Sequence, residues 1–544
     1  TGRIGIRTGR WTLTASGSGS FTPVALSRFT ETRGQAGQPL PFAGRSDSKS
    51  RTNYGRGHFS AVFDPTPKHT AGFDIEYTER STHMPTLSRT TLGQTQSDSR
   101  YRQHMGGNTL TATANYIWKI DTLGSQFKLI ADYTRYTSHG DNSYHTTTCA
   151  PGTLRDSLYE SATGSVYDIL TADAGLTRKL PHGLTLRAGL RYTRNGMADD
   201  SRYAAQMQGT WQALPEYGYD QHYTEQIGAA YASLEYSAGR WELSAGLRGE
   251  YTSVASQAFG RSYFGLFPNV SVSRALNALR TWLLVAQWSR NIERPAFPAL
   301  NPARIRISDY SWQSGNPSLR PTYIHRFSLT AVWKYRYTLT VGGNLHHDLI
   351  REIAHRDATD PDAVYIRPEN HYTENHWFVA ASVPAKITRW WNLSVNAVGV
   401  MQRIRLNSTD SPATHYLMFA DATCSFTLPA GFFAEAAYRA QSRLYSGNSE
   451  VGPRHTLSAT VKKQLFGKRL TLFCTLSNIT GCDWEFASLT DGMRRTIDAR
   501  QAWSGRLWKA GAAWNFRAGK KFRARTVESA AETQRKRLVK STEQ

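Results

Sequence analysis

The sequence predicts an all-β fold: a transmembrane antiparallel β-barrel with 21 strands visible of an expected 22, tight turns at one rim and long loops at the other. Three observations carry that expectation. In 544 residues, 43 glycines, 27 tyrosines, 22 phenylalanines and 15 tryptophans favour strands and turns over helices. Apolar and polar residues alternate with period two from end to end. Tight turns and long polar connections themselves alternate, an asymmetry that sandwiches and propellers do not predict and membrane barrels do.

The alternation is clearest in three stretches. Leu184, Leu186, Ala188, Leu190 and Tyr192 oppose Thr185, Arg187, Arg191 and Thr193. Trp241, Leu243, Ala245, Leu247 and Tyr251 oppose Glu242, Ser244, Arg248 and Glu250. Tyr337, Leu339, Val341 and Leu345 oppose Thr338, Thr340, Asn344 and His346. A strand facing a dry core does not tolerate full charges without partners, so one face is assigned to lipid and the other to water.

Tight turns are expected near residues 8–10, 64–69, 121–125, 180–183, 237–240, 276–280, 334–336, 387–390, 428–431 and 466–469. Long polar connections are expected at 21–56, 80–106, 137–164, 195–224, 252–265, 291–317, 350–371, 405–414, 442–452 and 480–499. Ten of each join 21 strands. The first and last both run inward, and a barrel with both termini in the periplasm needs an even number, hence 22. A lumen of that size needs a plug. The barrel domain is placed at 1–516, ending on the lipid-facing aromatic Phe516. Residues 517–544, with nine Lys or Arg against three Glu, are read as a basic periplasmic tail, a solvated extension or a contact with anionic headgroups.

The net charge of +23 suits nucleic acid in a compact soluble protein, but here the bases are dispersed, except in the last segment, and no recognition motif accompanies them. No nucleic-acid partner is expected. A positive barrel suits outer-membrane lipid and lipopolysaccharide instead. The mean hydropathy of −0.50 is low for helical membrane proteins, yet barrels hide their membrane signal because every second residue faces a polar lumen. Cys149, Cys424, Cys474 and Cys482 form no metal-binding spacing, and Cys474 with Cys482 is the one pairing an oxidising compartment would allow. Thr1 opens inside a strand pattern, so the chain reads as a fragment of a longer precursor.

No catalytic motif, cofactor loop or metal-ligand spacing stands out, and neither an enzyme nor a cofactor is expected. His346, His347, His355, His371 and His376, with Asp348 and Glu374, cluster around one connection. Adjacent strand residues point to opposite faces, so these are read as solvated histidines rather than ligands. Lumen charges such as Arg187, Arg191, Glu242, Arg248 and Glu250 are expected to pair with one another or with a plug.

The connection after the Thr281–Arg290 alternation holds five prolines between Arg294 and Pro321, which exclude helix and central sheet. It is expected to be extracellular, between the eleventh and twelfth visible strands. Its Arg304, Arg306, Tyr310 and Trp312 are candidate ligand contacts, because stacking faces and cations catch bulky anionic solutes. Arg294-Pro295, Leu300-Asn301-Pro302 and Gly315-Asn316-Pro317-x-Leu319-x-Pro321 resemble the signature of TonB-dependent receptor barrels, the plug-and-barrel family of Gram-negative gut and oral bacteria. Thr322 stands where that family's acidic residue is expected, and Ala513-Trp514-Asn515-Phe516 is similar to its carboxyl end.

That resemblance implies a Gram-negative outer-membrane receptor importing a scarce solute such as a siderophore, haem, peptide or glycan. Its energy would come from TonB through a plug that this sequence does not contain, and a surface lipoprotein is a possible partner. The rivals are a surface-binding, adhesin-like barrel without active transport and a passive porin.

Overall fold

A computed structural model describes residues 2–22, 24–35, 38–257, 259–358, 360, 362–500, 505–514, 516 and 527–538. Among them the wall is a continuous antiparallel ladder of 21 strands, as the sequence predicts. Its first half comprises Gly2–Thr8, Trp11–Phe21, Gln38–Thr66, His69–Leu92, Thr95–Lys119, Gln126–Ala150, Thr153–Lys179, Leu184–Met207, Tyr219–Ala238, Trp241–Ser256 and Gly260–Ala275. The second comprises Trp282–Glu293, Thr322–Trp333, Tyr337–Arg356, Val364–Lys386, Trp391–Arg405, Ala413–Leu428, Phe432–Gln441, Arg454–Leu465, Leu470–Ser477 and Leu507–Trp514. The proline-rich connection therefore joins the twelfth and thirteenth strands, not the eleventh and twelfth.

The two faces separate as the alternation requires. Along Trp241–Ser256, Leu243, Leu247 and Tyr251 are 40, 50 and 55% exposed, whereas Glu250 and Thr252 are 5 and 0% exposed. Exposed leucines beside buried glutamates invert a soluble core: the outer face meets lipid and the polar face turns inward. Trp11, Trp118, Trp241, Trp282, Trp333, Trp390 and Trp514 are exposed and all lie beside or within the tight turns. They form an aromatic girdle at one membrane interface.

The tight turns fall where expected. Gly183 shows why one is glycine: its φ is +75°, and a Cβ there would lie 2.2 Å from the Ser237 carbonyl oxygen of the neighbouring turn.

Several expected long loops are instead strand. The connections at 80–106 and 137–164 reduce to two-residue turns at Gly93-Gln94 and Pro151-Gly152. The polar composition that suggested loops is a run of β-forming Ser and Thr whose hydroxyls pair across strands. Ser48 with Thr86 at 2.7 Å and Ser99 with Thr146 at 2.9 Å are two such pairs. The six strands from Gln38–Thr66 to Leu184–Met207 are 24 to 29 residues long, against 8 to 12 for the last four. About 10 residues cross the bilayer, so one side of the wall rises roughly 35 Å above it.

Above the membrane, the outer connections join into a collar. Met493–Arg500 pairs with Ala25–Gln35 from Met493↔Gln35 to Arg500↔Arg28, and Ala25–Gln35 continues into the tall wall. The final connection, expected as loop, is thus largely the strands Trp484–Thr490 and Met493–Arg500. All four cysteines are free thiols, Cys474 with Cys482 included.

The face assignment predicts an asymmetry. Leu247→Arg, about seven residues above the turn, is expected to lower unfolding stability in lipid by about 2–4 kcal/mol, whereas Ser244→Arg on the inner face is expected to be mild. Equal shifts of the urea midpoint for the two variants would mean the faces are misassigned.

Candidate functional site: a loop folded across the lumen

The connection from Arg294 to Pro321 does not project outward; it folds back against the inner wall. A single helical turn, Phe297–Leu300, lays Phe297 and Leu300 beside Leu319, all three 0% exposed. They pack with Tyr167, Ile169, Met197, Tyr223 and Val254, contributed by four wall strands. Fully burying three large apolar side chains stabilises this docking by several kcal/mol, at about 1.5–3 kcal/mol each.

The motif residues set the path. Gly315 N–H donates to the Asn301 carbonyl at 2.7 Å, and Asn316 N–H to the Ala299 carbonyl at 2.7 Å. A Cβ on Gly315 would sit 2.3 Å from the Asn301 oxygen, so only glycine permits this approach. Asn316 caps the turn, accepting from Ser318 N–H at 3.1 Å and donating to the Pro368 carbonyl at 3.0 Å. Asn301 Oδ1 accepts from Ala303 N–H at 2.8 Å between Leu300 and Pro302, while Pro317 and Pro321 frame Leu319. Thr322, in place of the expected acid, is 1% exposed and donates its hydroxyl to the Asp348 carbonyl at 3.0 Å. Arg294 enters the lumen to donate to Glu250 at 2.7 Å and Thr252 at 2.9 Å.

Beyond the docked turn, the strands Ile305–Ser308 and Ser311–Gln313 carry the loop across the lumen. Asp309 accepts from Ser99 at 2.7 Å, Tyr101 at 2.9 Å and Arg306 at 2.7 Å. Ser311–Gln313 adds a parallel strand to Val364–Ile366. Arg33 donates to the carbonyls of Asp362 and Tyr310, and Arg495 donates to Ser311 at 3.0 Å. Glu31 joins these two arginines, accepting from Arg495 at 2.8 and 2.9 Å and from Arg33 at 2.9 Å. One end of the loop is thus held by apolar packing and the other by a buried ionic latch on the collar. Burial alone would raise the Glu31 carboxyl, but the Arg495 and Arg33 guanidiniums outweigh it and hold the group below its ordinary range.

The candidate contact residues lie within this crossing. Arg304 is exposed, its guanidinium 5.9 and 5.8 Å from the rings of Tyr217 and Tyr365. Arg306 is committed to Asp309 and lies over Tyr144, Tyr159 and Trp312. Trp312 stacks on Tyr217 at 6.4 Å, and Tyr310 meets Phe42 edge-on. All four help hold the loop in place, and Arg304 has the most open face.

Four of the five named lumen charges pair, Arg191 with Asp173 at 2.7 Å, Arg248 with Glu250 at 2.5 Å, and Arg187 with Glu235, whereas Glu242 is exposed and makes no ion pair among the described residues. Of the histidine cluster, His376 contacts Glu374 at 2.8 Å, His355 contacts Glu369 at 2.9 Å, and His346 meets the Glu374 carbonyl at 2.7 Å. They are tied into wall networks, not merely solvated. Among the described residues no group of three or more His, Cys, Asp or Glu is arranged to hold a metal.

Residues 527–538 of the basic tail also lie against the inner wall. Glu528 accepts from Lys128 at 2.6 Å, and Ala530 N–H donates to Asp132 at 2.7 Å. Arg537, 7% exposed, pairs with Glu225 at 2.5 Å, donates to the Pro295 carbonyl at 3.0 Å and lies 4.3 Å over the Phe297 ring. Between this segment, the crossing loop and the wall is a cavity of about 720 Å³ bordered by Arg294, Arg326, Arg351 and Lys536. Glu225 was not singled out by any pattern in the sequence. Its partner Arg537, 312 residues away, carried no sequence signal.

The described strand ladder agrees with what the sequence is similar to. The model of the outer membrane protein beta-barrel family matches residues 118–508. Among solved structures, the copper transporter OprC aligns with a TM-score of 0.53 at 10% identity, covering 88% of this chain and 80% of its own. The ferripyoverdine receptor of the Pseudomonas aeruginosa outer membrane gives 0.53 at 10%, covering 87% and 72%. The ferric-catecholate import receptor Fiu from Escherichia coli K12 gives 0.51 at 8%, covering 88% and 82%. No curated protein matches the sequence.

The latch carries a pH signature. Because Glu31 is held low when folded, its contribution is present above the ordinary glutamate pKa and is lost as pH falls through the lowered value. Glu31→Gln is expected to melt several degrees below the parent at pH 6, and the gap is expected to narrow below about pH 4. A gap that stays constant through acid pH would show that the carboxylate is not what holds the loop.

Proposed function

The chain belongs to the outer membrane protein beta-barrel family, and from that premise we propose that it is the barrel of a TonB-dependent receptor importing a scarce solute across the outer membrane. The observation that carries this reading is the crossed lumen. A passive porin keeps its path open, whereas here the loop from Arg294 to Pro321 spans the interior, docked by Phe297, Leu300 and Leu319 and latched through Glu31. A second point supports it: Glu225 and Glu250 sit on adjacent strands of the inner wall and receive arginines from elements that are not wall strands, Arg294 and Arg537. A wall bearing buried carboxylates is built around something inserted, which is what a plug would be in the full-length protein.

In this reading Arg304 is the loop group that meets the solute, with Tyr217 and Tyr365 beside it. Arg306, Tyr310 and Trp312 shape the surface around that contact. Net positive charge along the path favours anionic solutes. The surface-binding alternative has one observation of its own, the six long strands that rise above the membrane on one side.

Two measurements on the full-length protein test the proposal. In planar bilayers it is expected to give no large stable pore. Growth on a limiting ferric siderophore, haem, peptide or glycan as the sole supply is expected to require both this protein and TonB. A large stable pore from the intact protein, or uptake indifferent to TonB, would overturn the importer reading.

A further inference from the structure

Above the membrane band, the strands Leu184–Met207 and Tyr219–Ala238 pair with Asp199 opposite Gln221 and Ser201 opposite Tyr219. Direct and diagonal partners on one face of a ladder bring these four side chains together. They belong to the buried face: Asp199 is 1% exposed, Ser201 3% and Gln221 6%.

One atom of each is buried without a hydrogen-bond partner: Asp199 Oδ2, Gln221 Oε1, Ser201 Oγ and Tyr219 Oη. Buried polar atoms are nearly always satisfied, and four orphans on adjacent rungs mark a gap that something polar fills. Every one of the four is an oxygen. Among the described residues no Lys, Arg or His pairs with Asp199, whose other oxygen accepts from Tyr167 at 3.1 Å. An ionised carboxylate buried without a cation is costly. Consistent with that, burial pushes the Asp199 carboxyl up to about 6, against the pull of Ser165, Tyr167 and Asn301 nearby.

The Tyr167 that donates to Asp199 also packs on Phe297 of the crossing loop, ring centroids 5.5 Å apart, so the gap lies where that loop meets the wall. We propose that Asp199, Ser201, Tyr219 and Gln221 form an oxygen-lined site for a hard cation, calcium by its chemistry, which secures the crossing loop to the wall from the extracellular side. A carboxylate, an amide oxygen and two hydroxyls, completed by water, are the hard donors calcium takes. A single carboxylate sets the affinity in the weak range typical of extracellular sites, with dissociation constants of about 10⁻⁴–10⁻³ M. Ordered water with a protonated Asp199 is the competing occupant, and it predicts no response to calcium.

Terbium, a calcium surrogate, tests the site directly, because Tyr219 and Tyr167 are positioned to sensitise its luminescence. With full-length protein in detergent, freed of lipopolysaccharide, excitation of tyrosine is expected to give a terbium signal of which a part is displaced by about 1 mM calcium. That part is expected to vanish in Asp199→Asn and to fall severalfold in Gln221→Met, which keeps the side chain's length while removing its oxygen. Calcium is also expected to raise the parent's melting midpoint by about a degree and to leave Gln221→Met unmoved. A calcium-displaceable signal that is the same in parent and both variants would assign the ion elsewhere on the surface. Absence of any such signal in the parent would leave water in the gap. Either result overturns the proposal, and Gln221→Met keeps the test decisive if Asp199→Asn fails to fold.

Discussion

Hydrocarbon offers no partner to a backbone N–H or C=O, so every such group in the membrane band must be satisfied within the protein. The 21-strand ladder is the answer this chain gives, and the rest of the architecture depends on it. Strands that bond only to strands present side chains alternately to lipid and to the interior. Leucines therefore cover the outside of Trp241–Ser256 while Glu250 and Thr252 are buried within. The interior then becomes an electrostatic problem. Its charges share one face of the ladder, and Arg191 with Asp173 or Arg187 with Glu235 show how neighbouring strands neutralise one another locally.

A ladder this wide leaves more space than its own side chains can fill. The chain fills part of it with a connection rather than with the wall. Apolar docking fixes the near end of that connection, where Phe297, Leu300 and Leu319 exclude water between four strands. At the far end, Glu31 with Arg33 and Arg495 supplies directional, charge-assisted bonds. The division is physically sensible: apolar packing tolerates small shifts of register, whereas the paired guanidiniums fix where the tip must land. Gly315 allows the two halves of the loop to run backbone against backbone without a side chain between them.

What was legible in the sequence was what repeats locally. Period two gave the faces, and Gly9, Gly183 and Gly431 with the residues around them gave the turns. The strand count followed from those two signals. Where composition was the only guide the reading failed: Ser97, Ser99, Thr146 and Thr148 look like loop, yet in register they form hydroxyl pairs that continue the sheet beyond the membrane. The five prolines marked a shaped connection, but not that it turns inward, because the pocket receiving Phe297 is assembled from residues between 167 and 254. Arg304, Arg306, Tyr310 and Trp312 were singled out by residue type. Their neighbours Asp309, Tyr217 and Tyr365 could be named only once the fold had brought them together. Pairings across hundreds of residues, Glu31 with Arg495 or Glu225 with Arg537, leave no trace in a single sequence.

The collar strand Ala25–Gln35 has its partner in Met493–Arg500, and Glu31 meets Arg495 across 464 residues. Contacts of such sequence separation are the slowest to form, because the intervening chain must be ordered before they are rewarded. The earliest collar strand must therefore wait for nearly the last segment of the chain, while hairpins along the wall close on their neighbours as they emerge. The extracellular side is completed at the end of assembly, so a wall that had entered the membrane but lacked its C-terminal hairpin would present an open, unlatched mouth. Closure of the mouth is in effect a report that the whole barrel has been built.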